Sequence, residues 1–596
     1  MSFGFGPFQL DEAGRVLRLA DREIPLQPRV FDLLVCLVQN RERVVPKDEL
    51  LDKLWPDVTV TEGSLQRAIS TLRAALREGG MEEAVRSFPR IGYRFCAEPG
   101  QTINPPPSQP KDESDLIAAA RDAVDKQNWD KAAALYKKAD ALANLEAADF
   151  SRWALALYCL GKPSASIPIL IRAAAAHTEA GTIDGAATAA ANLSMIHLER
   201  GEVAVAKGWL SRAEDLLDGR TDLPASGRLQ WVQARIAAFE GEAQKAVELA
   251  EMAFGIGRRI GDVEIEALGL MFRGFFKLSL GHTKSGLADQ DHAAALSLSR
   301  KVHPLTGSML YCNILWACRT FGDWARANQW TLGYQDFCAS SRMEFSGNCQ
   351  LHRAEVLGIR GSLRDALAHV EDSVSRLSDD GPWALGDAHR VLGDIHSAIG
   401  NYDMADSAYE RAYSLGWDPE PGRALLLLER GDAEAAFSSL ERSLIGQSWW
   451  TLQRQGILLA HLALLAAHTG RNERAQDLIN QLADQRERWP MPSIRALTNE
   501  AAAVLAKRSG APEEALRRLH LARQLWTSIE SRLHATRLRL AICELQLEVG
   551  QMKSAMSELR AACVASKELE SEKLLRACHS LEACLAVTKA SKAALT

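Results

Sequence analysis

A chain of 596 residues, 47% hydrophobic and 24% charged with a net charge of −6, is longer than one hydrophobic core usually organises. Several domains or a repeat array are expected. The acidic total excludes a nucleic-acid signal from the chain as a whole, so any basic surface must be local. No apolar run approaches the roughly 20 residues of a membrane span, and no charged-then-apolar leader follows Met1. A cytoplasmic protein without a membrane partner is expected. Eleven scattered cysteines with no CxxC pair point to reduced thiols in helical cores, not to a disulfide framework.

The first hundred residues alternate element types. FGPFQL, RVLRL and REIPL read as three short strands. QPRVFDLLVCLVQN follows as an amphipathic helix with Val30, Leu33, Leu34, Leu37 and Val38 on one stripe. Pro46 suits the first turn of a second helix, PKDELLDKLW. TEGSLQRAISTLRAALREGG is a third helix, ended by Gly79 and Gly80. Its Leu65, Ile69, Leu72 and Leu76 form a buried stripe, and its other side carries Ser64, Arg67, Ser70, Thr71 and Ala74. That second side is small, polar and basic. Such a face suits a major groove, where bulk clashes and carboxylates repel phosphate. From Thr61 to Cys96 six arginines stand against four glutamates, a local balance of +2. AVRSFPRIGYRFC closes the segment as a β-hairpin, mixing aromatic and basic residues unlike anything after it.

This order of strands, three helices and a terminal hairpin, with DELLDKLWPD, SLQRAISTLRAAL and FPRIGYRF, resembles the OmpR/PhoB-type winged-helix DNA-binding domain, nearest its ToxR/CadC branch. The resemblance spans residues 3–97 and makes the hairpin a wing. It implies that the third helix enters the major groove and the wing meets the neighbouring minor groove. By position, Trp55 and Ser64 match phosphate-contacting groups. Arg67, Ser70, Thr71 and Ala74 match base- or backbone-facing places, and Ser87 and Tyr93 match phosphate-contacting wing positions. Thr71 departs from a place that is often basic. Pro89 stands where the PhoB branch has a minor-groove arginine, which shifts that role to Arg90. The DNA sequence read by a relative therefore does not transfer.

Residues 99–115 hold five prolines and one aliphatic residue, Ile103. Such a segment favours extended chain and builds no core. It separates a domain at 1–98 from a helical region at 116–590. There a turn glycine recurs at Gly161, Gly201, Gly241, Gly281, Gly322, Gly361, Gly400, Gly431, Gly470, Gly510 and Gly550. The intervals are 40, 40, 40, 41, 39, 39, 31, 39, 40 and 40. Five residues after each stands Ala, Ser or Gly, and Gln127 with Ala132 reads as a degenerate first copy. The glycine suits a left-handed helix end, and the small residue lets two helices approach. A period of this length marks a helix-hairpin solenoid, here of about twelve hairpins with one shortened unit at the 31-residue interval. The hairpins resemble tetratricopeptide repeats with lengthened helices. GDWARANQW, CQLHRAEVLGIRG and AYERAYSLGWDPEPGRALLLLERGDAEAA also resemble the helical sensor regions of large bacterial LuxR-type regulators. The expected fold is mainly α: a small α+β winged helix-turn-helix domain, then a long TPR-like superhelix.

Other clusters read as structural. Cys312, Cys318, Cys338, Cys349 and His352 are spaced 6, 20, 11 and 3, which matches no compact zinc pattern. Trp449 and Trp450 read as packing residues, and His389 and His396, seven apart, as satisfied helix histidines. GHTKSG and LGKPS lack phosphate-loop spacing, and there is no HExxH or GxSxG. Neither enzyme activity, a cofactor nor a metal is expected. No receiver domain precedes the first strand, so control by aspartyl phosphorylation within the chain is not expected.

The sequence reading is a one-component bacterial transcription regulator. Promoter DNA is its first partner, RNA polymerase or another regulatory protein a second. A ligand or protein would bind in the concave face of the array. A homodimer follows from the weakness of a single half-site. The alternative is a scaffold whose winged helix docks protein. The signal, the promoters and the sign of regulation are not written in the residues.

Overall fold

The described residues of the first unit form seven short strands, three α-helices and one 3-10 turn at Glu82–Ala84. A computed structural model describes residues 2–11, 14–19, 22–54, 62–88, 91–97, 113–142, 145–299, 302–341, 347–377, 382–445 and 449–595. Contacts divide the chain into two units, Met1–Leu116 and Ile117–Thr596. In the first, β1 (Ser2–Phe5), β2 (Phe8–Asp11), β3 (Val16–Leu19) and β4 (Arg22–Ile24) form an antiparallel meander. FGPFQL is therefore two strands with Gly6 and Pro7 as their turn, not one. Gly6 has φ +50, which explains the split. Phe8, Leu10, Leu17 and Ile24 face the core while Gln9 and Arg18 face water, the alternation of a half-buried sheet.

Helix α1 (Pro28–Gln39) buries Val30, Leu33, Leu34, Leu37 and Val38, as its stripe predicts. A two-residue strand, β5 (Val45–Pro46), precedes α2 (Lys47–Leu54). Pro46 thus ends a strand instead of opening the helix, which starts one residue later. Helix α3 (Glu62–Arg77) buries Leu65, Ile69, Leu72 and Leu76 at 2% exposure or less. The hairpin β6 (Val85–Phe88) and β7 (Gly92–Phe95) joins β5 in a second sheet ordered β5-β7-β6. Phe5 meets Phe95 edge-on at 4.9 Å between ring centres, so the two sheets share one core.

The second unit is all helix among its described residues, from Glu113–Asp125 to Glu572–Leu595. Residues 113–115, expected to end the linker, already lie in the first of these helices; 98–112 lie outside the described residues. Twelve antiparallel hairpins follow one another, and the Glu572–Leu595 helix covers the last. Gln127 and the eleven periodic glycines all stand at left-handed φ, from +55 to +109. At every one of these turns the next amide donates to the carbonyl five residues back: Asn128 to Ala123 at 2.8 Å, Glu202 to His197 at 2.9 Å, Asp432 to Leu427 at 3.0 Å. This bond satisfies a carbonyl that the helix end would otherwise leave open. The small residue five positions after the turn is buried in each hairpin. The 31-residue interval holds the shortest helix of the array, Gly422–Glu429.

The array does more than stack neighbours. Ser493 Oγ donates to Gly322 O at 2.7 Å, Ser531 Oγ to Ile359 O at 3.0 Å, and Ser571 Oγ to Ala398 O at 2.7 Å. Gln453 Nε2 donates to Phe275 O at 2.9 Å. Arg360 pairs with Glu530 at 3.0 Å and Arg364 with Glu570 at 2.6 Å. The three serine bonds span 171, 172 and 173 residues. The superhelix therefore closes one turn in a little over four hairpins, and its second turn lies on its first. No helix of the described residues is long and apolar enough to cross a membrane.

Candidate nucleic-acid interface

Burial of its leucine stripe fixes which side of α3 faces out. Arg67, Ser70, Thr71 and Ala74 are all exposed on that outer side, and Ser64 is half-buried at its start. Thr71 Oγ1 donates to Arg67 O at 3.0 Å, and Arg67 Nε donates to Gly63 O at 3.3 Å. These bonds keep the face low against the helix. Glu78, the acid at the far end, pairs with Arg22 of β4.

Arg73 differs from a solvated helix arginine. Its Nε and Nη2 donate to Val85 O at 3.0 and 2.7 Å, and Nη2 also donates to Ser87 Oγ at 2.9 Å. One guanidinium thus ties α3 to β6, so helix and hairpin present themselves as a unit. The sequence offered only a position for it, on the border between the buried stripe and the outer face. Arg73→Ala is expected to lower the stability of the first unit by about 1–2 kcal/mol, from two lost backbone bonds made by a charged donor. Urea unfolding would measure this, and exchange of the Val85–Phe88 amides should quicken.

The remaining assigned positions separate. Ser87 is exposed on β6, with its hydroxyl held by Arg73. Tyr93 is only 7% exposed and packs in the core opposite Ser87 and Val45. Its ring serves packing first, with little more than its rim left for phosphate. Trp55 and Arg90 lie outside the described residues. Gly92 lies within the hairpin motif FPRIGYRF. A Cβ there would stand 1.9 Å from Val45 O, so only glycine lets β7 approach β5.

Among the described residues, cavities of about 450 and 580 Å3 lie in the array and share Trp316 in their lining. The smaller lies between the two superhelical turns, with Arg319, Asp387 and Arg390 from one and Arg454, His461 and Trp526 from the other. Arg390 donates to Glu355 Oε1 at 2.9 Å, Asp387 Oδ1 at 2.9 Å and Asp394 Oδ2 at 2.8 Å. Arg319 reaches Asp387 Oδ2 at 3.0 Å and His352 Nδ1 at 2.6 Å, and it also pairs with Glu355. Burial and Arg319 push His352 well below its ordinary range and leave it neutral, while Arg319 and Arg390 together hold the buried Glu355 carboxyl low. His352 is thus an acceptor within this network, away from any cysteine cluster. Cys312 and Cys349 come together instead, sulfurs 3.3 Å apart, and Cys318 is buried elsewhere. The side chains of Cys338, Trp449 and Trp450 lie outside the described ones. His389 and His396 are not fully satisfied: each Nδ1 is buried with no hydrogen-bond partner, and burial lowers both pKa values.

Residues 21–95 match the family described as "Transcriptional regulatory protein, C terminal". Over 108 residues the chain is 34% identical to the transcriptional regulator HilA of Salmonella typhi, covering 18% of this chain and 19% of that one. It is 33% identical over 98 residues to the transcriptional activator CadC of Escherichia coli K12, 19% of whose length is covered. It is 32% identical over 89 residues to the phosphate regulon regulatory protein PhoB of Rhizobium meliloti, covering 39% of that relative. The chain therefore spans about a fifth of the length of HilA and CadC. Among solved structures, the Cut9–Hcn1 tetramer of APC/C aligns with 78% of this chain and 96% of its own at 13% identity, TM-score 0.36. Rap protein complexed with competence and sporulation factor aligns with 65% and 99% at 13% identity, TM-score 0.33. Both are loose likenesses. The first unit is an OmpR/PhoB-type winged-helix domain, the DNA-binding domain of transcription regulators.

Proposed function

We propose that the chain is a one-component, sequence-specific bacterial transcription regulator. The N-terminal domain binds promoter DNA with Arg67, Ser70, Thr71 and Ala74 of α3 in the major groove and Ser64, at the start of α3, on phosphate. Ser87, Arg90 and Tyr93 act from the wing, and Trp55 acts on phosphate. The array binds a regulatory ligand or protein, and it brings two copies together on paired half-sites. RNA polymerase or another regulatory protein is the further partner. The observation that supports this reading is the exposed, small, basic face of α3, backed by a fully buried leucine stripe and joined by Arg73 to the hairpin.

The test is DNA capture across the native genome with the full chain and with Arg67→Ala, Arg90→Ala. Each lost arginine contact should cost roughly 1–3 kcal/mol. Sharp promoter peaks in the wild type should vanish in the double variant while its helical content stays unchanged. Equal enrichment from both proteins would overturn the DNA-reading role of this face.

A further inference from the structure

The buried network beside the smaller cavity holds more carboxylates than guanidiniums. Glu355, Asp387, Asp394, Asp418 and Glu420 stand with Arg319, Arg390 and Arg454. Two further cations line the cavity, Arg537 and Lys573, and each is matched by a carboxylate of its own, Glu500 and Glu429, while Arg423 sits over the Tyr413 ring. An excess of negative charge out of water is costly unless a cation or a proton meets it. Four of the five carboxylates are enclosed or closely held: Asp387 and Glu420 are 1% exposed, and Glu420 accepts from Ser439 Oγ at 2.6 Å and Ala424 N at 2.7 Å. Glu355 is gripped by both arginines, and Asp418 accepts from Ser443 Oγ at 3.0 Å. Asp394 differs. Its side chain keeps 33% of its surface open, and it lines the cavity.

The space in front of Asp394 suits one chemistry. Tyr409 Oη donates to Asp394 Oδ1 at 2.7 Å, and Arg390 holds Oδ2, so the carboxylate is fixed in place. Gly422 packs closely against this pair: a Cβ there would fall 2.1 Å from Asp394 Oδ1 and 2.4 Å from Tyr409 Oη, so only glycine fits beside the carboxylate. Trp316, Trp324, Trp417 and Trp526 line the same cavity, among aliphatic side chains such as Ile359, Val391 and Leu497. Aromatic faces and a carboxylate in a largely dry space attract an organic cation and repel an anion.

We propose that this cavity binds an organic ammonium ion with an aromatic body, its charge received by Asp394 and its body by the tryptophans. The inference rests on the reading of the array as the sensing part and names the ligand class for it. Burial, with the neighbouring Glu355 and Asp387, pushes Asp394 up to about 6 against the pull of Arg390 and the Tyr409 hydrogen bond, so a cation received there competes with a proton. Glu420 is raised by burial as well. Of the other groups around Asp394, Glu355 is held low, His352 is neutral, and His461 across the cavity is pushed down to about 4 by burial. His468 and His534, which also line the cavity, are lowered by burial, so Asp394 and Glu420 are the cavity groups whose protons a bound cation would disfavour, and Asp394 is the more open of the two.

The test is calorimetric titration of the full chain with three probes of one body and different charge: tryptamine, its alcohol analogue tryptophol, and indole-3-propionate. Tryptamine should bind, and the alcohol and the acid about tenfold or more weakly, as loss of a charge-assisted contact predicts. Asp394→Asn should erase that preference. Asp403→Asn, fully exposed on the Tyr402–Ser414 helix, should keep it. A measurement without any variant is the pH series. Affinity for tryptamine should fall as pH drops from 7.5 to 5, where Asp394 takes a proton while the amine stays charged. No heat from tryptamine at millimolar concentration, equal binding of the acid, or a flat pH profile would each overturn the site. Tryptamine binding by Asp394 with unchanged DNA affinity would support the site and refute the sensor reading. Absence of binding would remove the site and leave that reading for another ligand.

Discussion

Arg390→Met should lower the stability of the array by roughly 3–5 kcal/mol, the cost of removing one partner from a buried ionic network. The guanidinium meets Glu355, Asp387 and Asp394, which come from two helices. Methionine fills much of the volume but leaves those three carboxylates facing one another, with Arg319 still bonded to Glu355 and Asp387 and no guanidinium bonded to Asp394 in place of the one removed. Repulsion then adds to desolvation. The deficit should shrink as pH falls toward 5, because protonation relieves orphaned carboxylates. Denaturant unfolding of the full chain at pH 7.5 and pH 5, followed by tryptophan emission and circular dichroism, would read both effects. A loss under about 1 kcal/mol, the level of an exposed pair, would show that water already screens the network. Adding Glu355→Gln to Arg390→Met should recover part of the loss, since the two sites share one network.

Gly92→Ala should be the most damaging single change in the N-terminal unit. The added Cβ would meet Val45 O at 1.9 Å, Val45 C at 2.7 Å and Pro46 Cα at 2.9 Å. These are backbone atoms of a two-residue strand, so no rotamer change relieves the clash. The expected cost is at the upper end of overpacking, about 3 kcal/mol. The β5–β7 pairing should open, and with it the bond from Lys47 N to Ile91 O at 3.2 Å. Hydrogen exchange should show loss of protection in Gly92–Phe95 while the array keeps its own. DNA affinity should fall with it, because α3 and the hairpin are joined. Gly80→Ala is the contrast. Gly80 has φ +69, yet a Cβ there meets nothing within 4 Å. Only the left-handed backbone is penalised, at about 1 kcal/mol. Wing protection that survived in Gly92→Ala as well as in Gly80→Ala would show that β7 can shift away from β5.

The sequence by itself determined what depends on near neighbours. The left-handed turns and the bonds that close them lie within five residues, so a glycine at a fixed interval with a small residue five positions on was enough to count the hairpins. The same holds for α3: Leu65, Ile69, Leu72 and Leu76 define the buried side, and that places Arg67, Ser70, Thr71 and Ala74 outside. Strand boundaries were less legible: β5 ends at Pro46 only because it pairs with β7 far along the chain, whereas the Gly6 turn between β1 and β2 is local. Tyr93 and Arg73 show the same limit. One turned out to be a core ring, and the other a clamp between α3 and β6, because β6 and β7 return to the helix.

Only the tertiary structure decided how the superhelix closes. Each hairpin adds a rotation of its own, and a little over four of them bring Ser493, Ser531 and Ser571 to carbonyls 171–173 residues upstream. No local pattern records that sum. The contact that makes the smaller cavity, and the gathering of Arg319, Glu355, Arg390, Asp394 and Arg454 around it, follow from accumulated geometry over hundreds of residues. Period and pattern are local free energies that a sequence displays directly, whereas closure depends on angles whose small differences add along the chain.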